Sequence, residues 1–174
     1  MARLDWKNKG KFNTDYEVDK QYEAMEGWSD GYGDWIAYYR LDTSKNQYDP
    51  VYLEAINSGR AWYPALSVEC LHVTHIRGAN ENGNYGFNYN DDVEAIISFD
   101  QYLKAGMILA DVDTGRYEQD RVVYDQKAFR VQQITISGKI QERPTLVAIS
   151  ATQLKPWELR DDEFWAQFAN EPTP

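Results

Sequence analysis

The sequence predicts a mainly β protein: a small curved β-barrel or sandwich with long loops, an N-terminal arm and a short C-terminal helix. Three observations carry this expectation. Residues 120–154 alternate apolar and polar side chains at period two, in runs of strand length with turn signals at Asp125-Gln126 and Ser137-Gly138. Two runs change their inward face partway: Leu66, Val68 and Cys70 hand over to Leu71 and Val73, and Phe129 and Val131 to Ile134 and Ile136. A strand that swaps faces bulges or bends, which is how a sheet turns a corner and rolls up. Finally, 174 residues make one domain with extensions, enough to bury roughly 70% of the unfolded chain's surface without a metal or disulfide staple.

Taken in order, residues 1–34 form the arm. Val18, Tyr22 and Met25 fall at helical spacing, predicting a short amphipathic helix from Asp15 to Met25 that Gly27, Gly31 and Gly33 break. The arm has too few aliphatic residues for a core of its own, so it drapes on its own barrel or is ordered by a neighbouring subunit. The barrel domain spans 35–155. Trp35 to Leu41 is its first strand, and an aromatic excursion through Tyr48, Tyr52, Arg60, Trp62 and Tyr63 follows, with one helical turn at Tyr52 to Ile56. Loops of that length in compact domains usually have a task. Leu66 to Arg77 is a long strand, and Asn80 to Asn90 reads as a hairpin tip with Tyr85, Phe87 and Tyr89 alternating. Val93, Ala95, Ile97 and Phe99 form the next inward face, and Asp100 is placed to cap a short helix over Gln101 to Ala105 that Gly106 ends. In the helix and tail of 156–174, Pro156 suits a first helical position and Asp161 a cap. Phe164, Trp165 and Phe168, with Trp157 upstream, hold too much apolar area for a free tail and must dock on the barrel or on a partner.

Asp and Glu number 28 against 18 Lys and Arg, a net charge of −10, which opposes phosphate-tracking nucleic-acid binding. The same acidity would serve solubility, or a conduit that must let DNA pass without holding it. Aromatics are 14% of the chain, with Tyr 13 and Trp 6, and such residues suit surfaces that become buried against a partner. No apolar run approaches the roughly 20 residues of a membrane span, and the first residues lack the apolar core of a signal peptide, so a soluble, unexported protein is expected. Cys70 stands alone among apolar neighbours, and a buried, unreactive thiol is expected there.

The search for chemistry yields little. Asp113-Thr114-Gly115 matches the aspartic-protease loop superficially, but Arg116 follows where that loop wants a small residue. Asp111, Asp113 and Gly115 resemble the start of a calcium loop, yet Arg116 and Val122 stand where Gly and Glu are required. His72 and His75, three apart on a strand, point to opposite faces and do not share a metal. With no nucleophile triad, phosphate loop or nucleotide fingerprint, the sequence reads as a non-enzyme without catalytic, metal or cofactor residues. Asp120 and Arg121 open a strand, where a solvated edge or a cross-ladder pair is expected.

The order "DRVVYDQKAFRV" (120–131), a Gly turn, a strand, then "ATQLKPWEL" (151–159), preceded by "YYRLD", "YDPVY" and "GRAWYP", resembles the head-to-tail connector proteins of tailed bacteriophages. It is most similar to the stopper proteins of actinobacterial siphophages, over residues 35–168. This chain departs from that pattern at Ser58-Gly59, where two glycines are usual, and at Asp125-Gln126, where Asp-Gly is common. The resemblance implies a structural virion protein of the neck, a homo-oligomeric ring of sixfold or twelvefold symmetry. That ring would join the portal-bound adaptor to the tail terminator or tail tube and help retain packaged DNA, which passes through without sequence-specific binding. Assembly in the host cytoplasm, residence at the head-tail interface and no membrane contact follow from the same resemblance. Interface candidates are Trp6, Phe12, Trp28, Tyr48, Tyr52, Arg60, Trp62, Tyr63, Trp157, Phe164, Trp165 and Phe168. For the channel or gate loop they are Tyr85, Phe87, Tyr89, Asp91 and Asp92, the hairpin competing with the stretch from Tyr48 to Pro64. Three other readings compete: a different neck protein (an adaptor, expected to be helical, or a tail terminator); a carbohydrate-binding β module, since Trp and Tyr beside Asn and Asp suit sugar faces; and, as the enzyme reading, an aspartic protease built on Asp113-Thr114-Gly115.

Overall fold

The computed structural model of the chain describes residues 14–42, 44–45, 60–83, 86–108, 112, 119–140, 142–155, 158–159 and 164–168, and for 79–89 the backbone alone. Helix α1 (Thr14–Tyr32) leads into strand β1 (Asp34–Tyr39). Next come β2 (Leu66–Cys70), β3 (His72–Gly83) and β4 (Gly86–Ser98), helix α2 (Phe99–Lys104), then β5 (Arg121–Tyr124), β6 (Lys127–Ile140) and β7 (Arg143–Gln153). A 3₁₀ turn at Ala166–Phe168 ends the described chain. The protein is thus mainly β, as the alternation predicts.

The described strands form one seven-stranded sheet in the order β2-β1-β5-β6-β7-β4-β3, and each of its ladders is antiparallel. The two edge strands, β2 and β3, are separated in the chain by Leu71 alone. Two edges joined by one residue lie next to each other, so the sheet must roll up even though no ladder closes it. Leu71 itself stitches the seam by donating its N–H to the Ile96 carbonyl of β4 at 2.8 Å. The first face swap is therefore the bend at which the chain leaves one edge for the other. The second is a bulge in β6: Val131 pairs with Ala151 and Gln133 with Ser150, leaving Gln132 as the extra residue. That insertion keeps Phe129, Val131 and Ile134 on one face, all buried.

The inside of the roll holds Ile36, Tyr38, Val68, Cys70, Ala95, Ile97, Val122, Val131, Ile134, Val147 and Ile149, with Tyr102 of α2 and Met107 packed in the same cluster. A smaller cluster of Ala128, Leu154, Leu159 and Trp165 sits on the opposite face of β5 and β6, where Val123 and Tyr39 join it. α1 packs on β7 and β4. Val18 is buried, Tyr22 donates its hydroxyl to the Pro144 carbonyl at 2.6 Å, and Trp28 Nε1 donates to the Leu71 carbonyl at 3.3 Å.

Three local expectations are corrected. α1 runs through Gly27 and Gly31 and ends only at Gly33, because the contacts of Trp28 and Ser29 hold its last turns against the sheet. At Gly33 a Cβ would stand 2.4 Å from the Ser29 carbonyl oxygen and 2.7 Å from that of Cys70, so only glycine lets the chain turn there into β1. Ser137-Gly138 is no turn: β6 continues to Ile140. Gly138 is instead where the facing strand comes close, since a Cβ would lie 2.7 Å from Thr145 Oγ1. Helix α2 starts at Phe99 after Ser98, and Asp100 in its first turn pairs with Lys104 at 2.8 Å rather than capping. The Asp125-Gln126 turn is as expected, with φ of 48° and 61° at its two central residues, the mirror-image turn that matches strand twist.

Candidate functional site

The densest group of the predicted residues lies where β1 ends. There the chain from Arg60 to Tyr63 returns alongside residues 40–42: the Asp42 N–H donates to the Ala61 carbonyl at 2.9 Å, and the Tyr63 N–H to the Arg40 carbonyl at 3.0 Å. The return strand sets Trp62 over the start of β5, and the C-terminal turn brings Trp165 down beside it, ring centroids 5.5 Å apart and edge to face. Between the two indoles lies the guanidinium of Arg121, 4.7 Å from the centroid of Trp62 and 4.8 Å from that of Trp165. Trp165 and Arg121 are buried, the former completely. Tyr39, Phe164 and Phe168 ring Trp165 at 4.9, 5.2 and 5.4 Å. The C-terminal aromatics therefore dock on their own domain, and the docking depends on a cation held against two aromatic faces.

Asp120, the residue before, is buried too. Its carboxylate accepts from the Tyr38 hydroxyl at 2.7 Å and the Leu41 N–H at 3.0 Å, tying the end of β1 to the start of β5. Burial, and then the Asp120 charge, push the Tyr38 phenol far above its usual value. Of the alternatives expected for the Asp-Arg pair, Asp120 takes the pairing across to β1 through Tyr38, and neither residue is a solvated edge. Beside them a cavity of about 320 Å³ is lined by Leu41, Arg60, Trp62, Gln119, Arg121 and Arg130. An adjoining groove of about 510 Å³ runs along Tyr39, Arg60 to Ala65 and Phe164. Tyr63 and Phe164 each remain about half exposed, at 47%.

A second aromatic surface lies at the other end of β1. Trp28 and Tyr32 of α1 stand 5.2 Å apart, ring centroid to centroid, and with Trp35 they remain exposed at 56%, 80% and 56%. A shallow cleft of about 320 Å³ beside Trp28 is floored by Leu71 and His72, over the seam. The six residues of β1 at ~3.3 Å each put roughly 20 Å between the two surfaces.

Of the gate candidates, Phe87 and Tyr89 lie on β4, their backbones paired with Asn82 and Asn80, so the hairpin stays zipped as far as Gly83 and Gly86. Asp91 and Asp92 sit lower, where β4 meets the body of the sheet. Asp91 accepts from Lys127 Nζ at 2.6 Å and the Gly78 N–H at 2.9 Å, and its other contact is His75 Nε2 at 3.1 Å. Asp92 accepts from Thr152 Oγ1 at 2.8 Å. Partial burial alone would raise the Asp91 carboxyl, but those three donors outweigh it and lower it to about 2. Both carboxylates thus have structural partners, and Asp91 also holds the bulge between Ile76 and Ala79.

Trp6, Phe12, Tyr48, Tyr52, Tyr85 and Trp157 lie outside the described residues, as do Asp111, Asp113 to Gly115 and the cap at Asp161. His72 is exposed on β3 and His75 is half-buried against Tyr124 and Phe129. Cys70 is fully buried, and burial, with Asp34 and Glu69 nearby, pushes its thiol up to about 12. Among the described residues no three His, Cys, Asp or Glu side chains cluster to hold a metal, and no helix is long and apolar enough to cross a membrane. Sequence reasoning passed over Arg130 and underrated Arg121. The available signal was parity, since Arg121 shares its side of β5 with Val123, which packs on the outer cluster.

No protein-family model matches the chain, and no curated protein does. Among solved structures, a chain from the "virion of native gene transfer agent (GTA) particle" is similar at 10% identity with a TM-score of 0.43, covering 70% of this chain and 94% of that one.

Proposed function

We propose that this protein is a structural component of a phage-type virion, a head-to-tail stopper whose copies associate into a ring at the neck. The observation that carries the proposal is the pair of exposed aromatic surfaces at opposite ends of β1, Trp28 with Tyr32 and Trp35, and Tyr63 with Phe164. A ring built from one repeated contact needs two different adhesive surfaces on each subunit, facing different ways. Half-exposed Trp, Tyr and Phe on an otherwise polar, acidic chain are what such contacts bury. The mainly β architecture accords with a stopper rather than a helical adaptor, and the net charge of −10 suits a passage that must not retain DNA. Under this reading the portal-bound adaptor and the tail terminator or tail tube are the ring's neighbours. The β3–β4 hairpin, paired as far as Gly83 and Gly86, is its gate.

Native mass spectrometry of the purified chain, alone and mixed with portal-adaptor complexes, tests the assignment. A ring of defined copy number, or stoichiometric capture by the complexes, is expected, and Trp28→Glu and Tyr63→Glu should each abolish it while the far-ultraviolet circular dichroism stays unchanged. A chain that remains monomeric in both settings, or that binds glycans as a monomer, overturns the proposal.

A further inference from the structure

Helix α1 is acidic along its length and has no cation where it ends. It carries Asp15, Glu17, Asp19, Glu23, Glu26 and Asp30 against Lys20, and no basic residue stands in its last turn. Asp15 faces Arg143 at 2.7 Å, Glu26 faces Lys104 at 2.9 Å and Glu23 pairs with Lys20. Asp19 and Asp30 are exposed, and Asp30 adds its charge to the negative end of the helix dipole. The cleft of about 320 Å³ beside Trp28, walled by Ala24 and Met25 and floored by Leu71 and His72, lies against this helix. The single chain leaves it open, with Trp28 56% exposed. Its occupant therefore combines a large apolar side chain with positive charge.

One segment of this chain has that chemistry. Residues 1–13 hold Arg3, Lys7, Lys9 and Lys11 against Asp5, with Leu4, Trp6 and Phe12 among them, a basic stretch in a chain of net charge −10. The segment joins α1 at Thr14, the end of the helix away from Trp28, and thirteen extended residues reach roughly 40 Å. We propose that the cleft beside Trp28 takes residues 1–13 of a neighbouring copy, with Trp6 entering the cleft and the lysines facing the acidic helix. The exposed rings of Trp28 and Tyr32 also suit a lysine ammonium laid over them. The inference rests on the reading that copies of this chain associate, and it adds a contact to that assembly which the two aromatic surfaces alone do not supply.

The test uses full-length chains with engineered cysteines, since the one native thiol, Cys70, is fully buried and unreactive. An Asn8→Cys chain mixed with an Ala24→Cys chain in a glutathione redox buffer should form a disulfide between copies. It should do so about a hundredfold faster than with a Lys45→Cys chain, the gain of a docked encounter over a random one; Lys45 is exposed beyond the other end of β1. Replacing Lys7, Lys9 and Lys11 together by Gln should slow the reaction about tenfold, as the loss of three exposed ion pairs would, and Trp6→Ala should slow it by a similar factor. Equal rates with the Ala24→Cys and Lys45→Cys chains, or no effect of Trp6→Ala, overturn the proposal. So does a chain carrying both cysteines that closes a disulfide within itself while none forms between copies, which makes the cleft the seat of the chain's own segment. Native mass spectrometry of the same chains separates the two readings. Rings that form without the disulfide from position 8 to position 24 reject the arm contact alone, whereas linked copies that never close into a ring reject the ring alone.

Discussion

Replacing Asp91 by Asn removes one negative charge from a site with Lys127 at 2.6 Å, His75 at 3.1 Å and the Gly78 amide at 2.9 Å. The folded state holds this carboxyl at about 2 against an ordinary value of 3.8. Its side chain is 14% exposed but that of Lys127 is 36%, so solvent screens part of the interaction and converting the shift gives an upper value. That difference, at ~1.4 kcal/mol per pH unit, amounts to at most about 2 kcal/mol of stability. The sign follows from the direction. A carboxyl lowered on folding stabilises the protein fully above 3.8, and its contribution fades as pH falls toward about 2, where the folded form also takes up the proton. Urea denaturation of the parent and Asp91→Asn across that range should show a gap of up to about 2 kcal/mol near neutrality that closes as the acid limb is reached. A gap that stays constant with pH would mean that the Asn substitution acts through packing or the amide contact alone. No gap at any pH would sink the ion-pair account altogether. Reversing the charge with Lys sets an ammonium against Lys127, so a defect in Asp91→Lys would report on folding as well as on the proposed gate.

Two further outcomes follow from backbone geometry. Gln126 holds φ at 61° in a turn that favours glycine, so Gln126→Gly should stabilise the β5–β6 hairpin by about 1 kcal/mol, read as a rise in denaturation midpoint. Gly33→Ala drives a Cβ into two backbone carbonyls and should cost about 3 kcal/mol, whereas Gly27→Ala meets open space inside a helix and should gain about 1 kcal/mol. Opposite signs in paired thermal melts would check both.

The rolled sheet was legible because parity is a property of adjacent residues. A two-residue alternation broken at Leu71 and again at Gln132 can only mean a bend and a bulge, and the structure has one at each. The turn at Asp125-Gln126 was legible for the same local reason. Helix α1 was misjudged where tertiary contacts overrode propensity: the hydrogen bond of Trp28 to Leu71 and the burial of Ser29 carry it through glycines that would end a free helix. Gly138 was misread because a glycine needed for close approach looks, in sequence, like one needed for a turn. The arginine cluster was hidden for a deeper reason. Parity with Val123 places Arg121 on the side of the outer cluster, but its burial depends on Trp62 and Trp165, distant on either side in the chain, closing over it.

The rolled sheet also limits how copies of this chain meet. A long edge strand invites pairing with a neighbour's edge, and β3 is the longer of the two edges. Its ladder with β4 breaks between Ile76 and Ala79, with Gly78 at a φ of 69°, and Arg77 there is 74% exposed on its side chain. A bulge and a charge blunt an edge in this way. The other edge, β2, ends at the seam, where Leu71 is bonded to Ile96 and α1 lies across with Trp28. Backbone addition is therefore discouraged at both edges, and association falls to side chains, which concentrate as exposed aromatics at the two ends of β1. Contacts of that kind are reversible and orientation-specific. In the ring proposed above they would let subunits find a common register before locking, which strand exchange at an open edge would defeat.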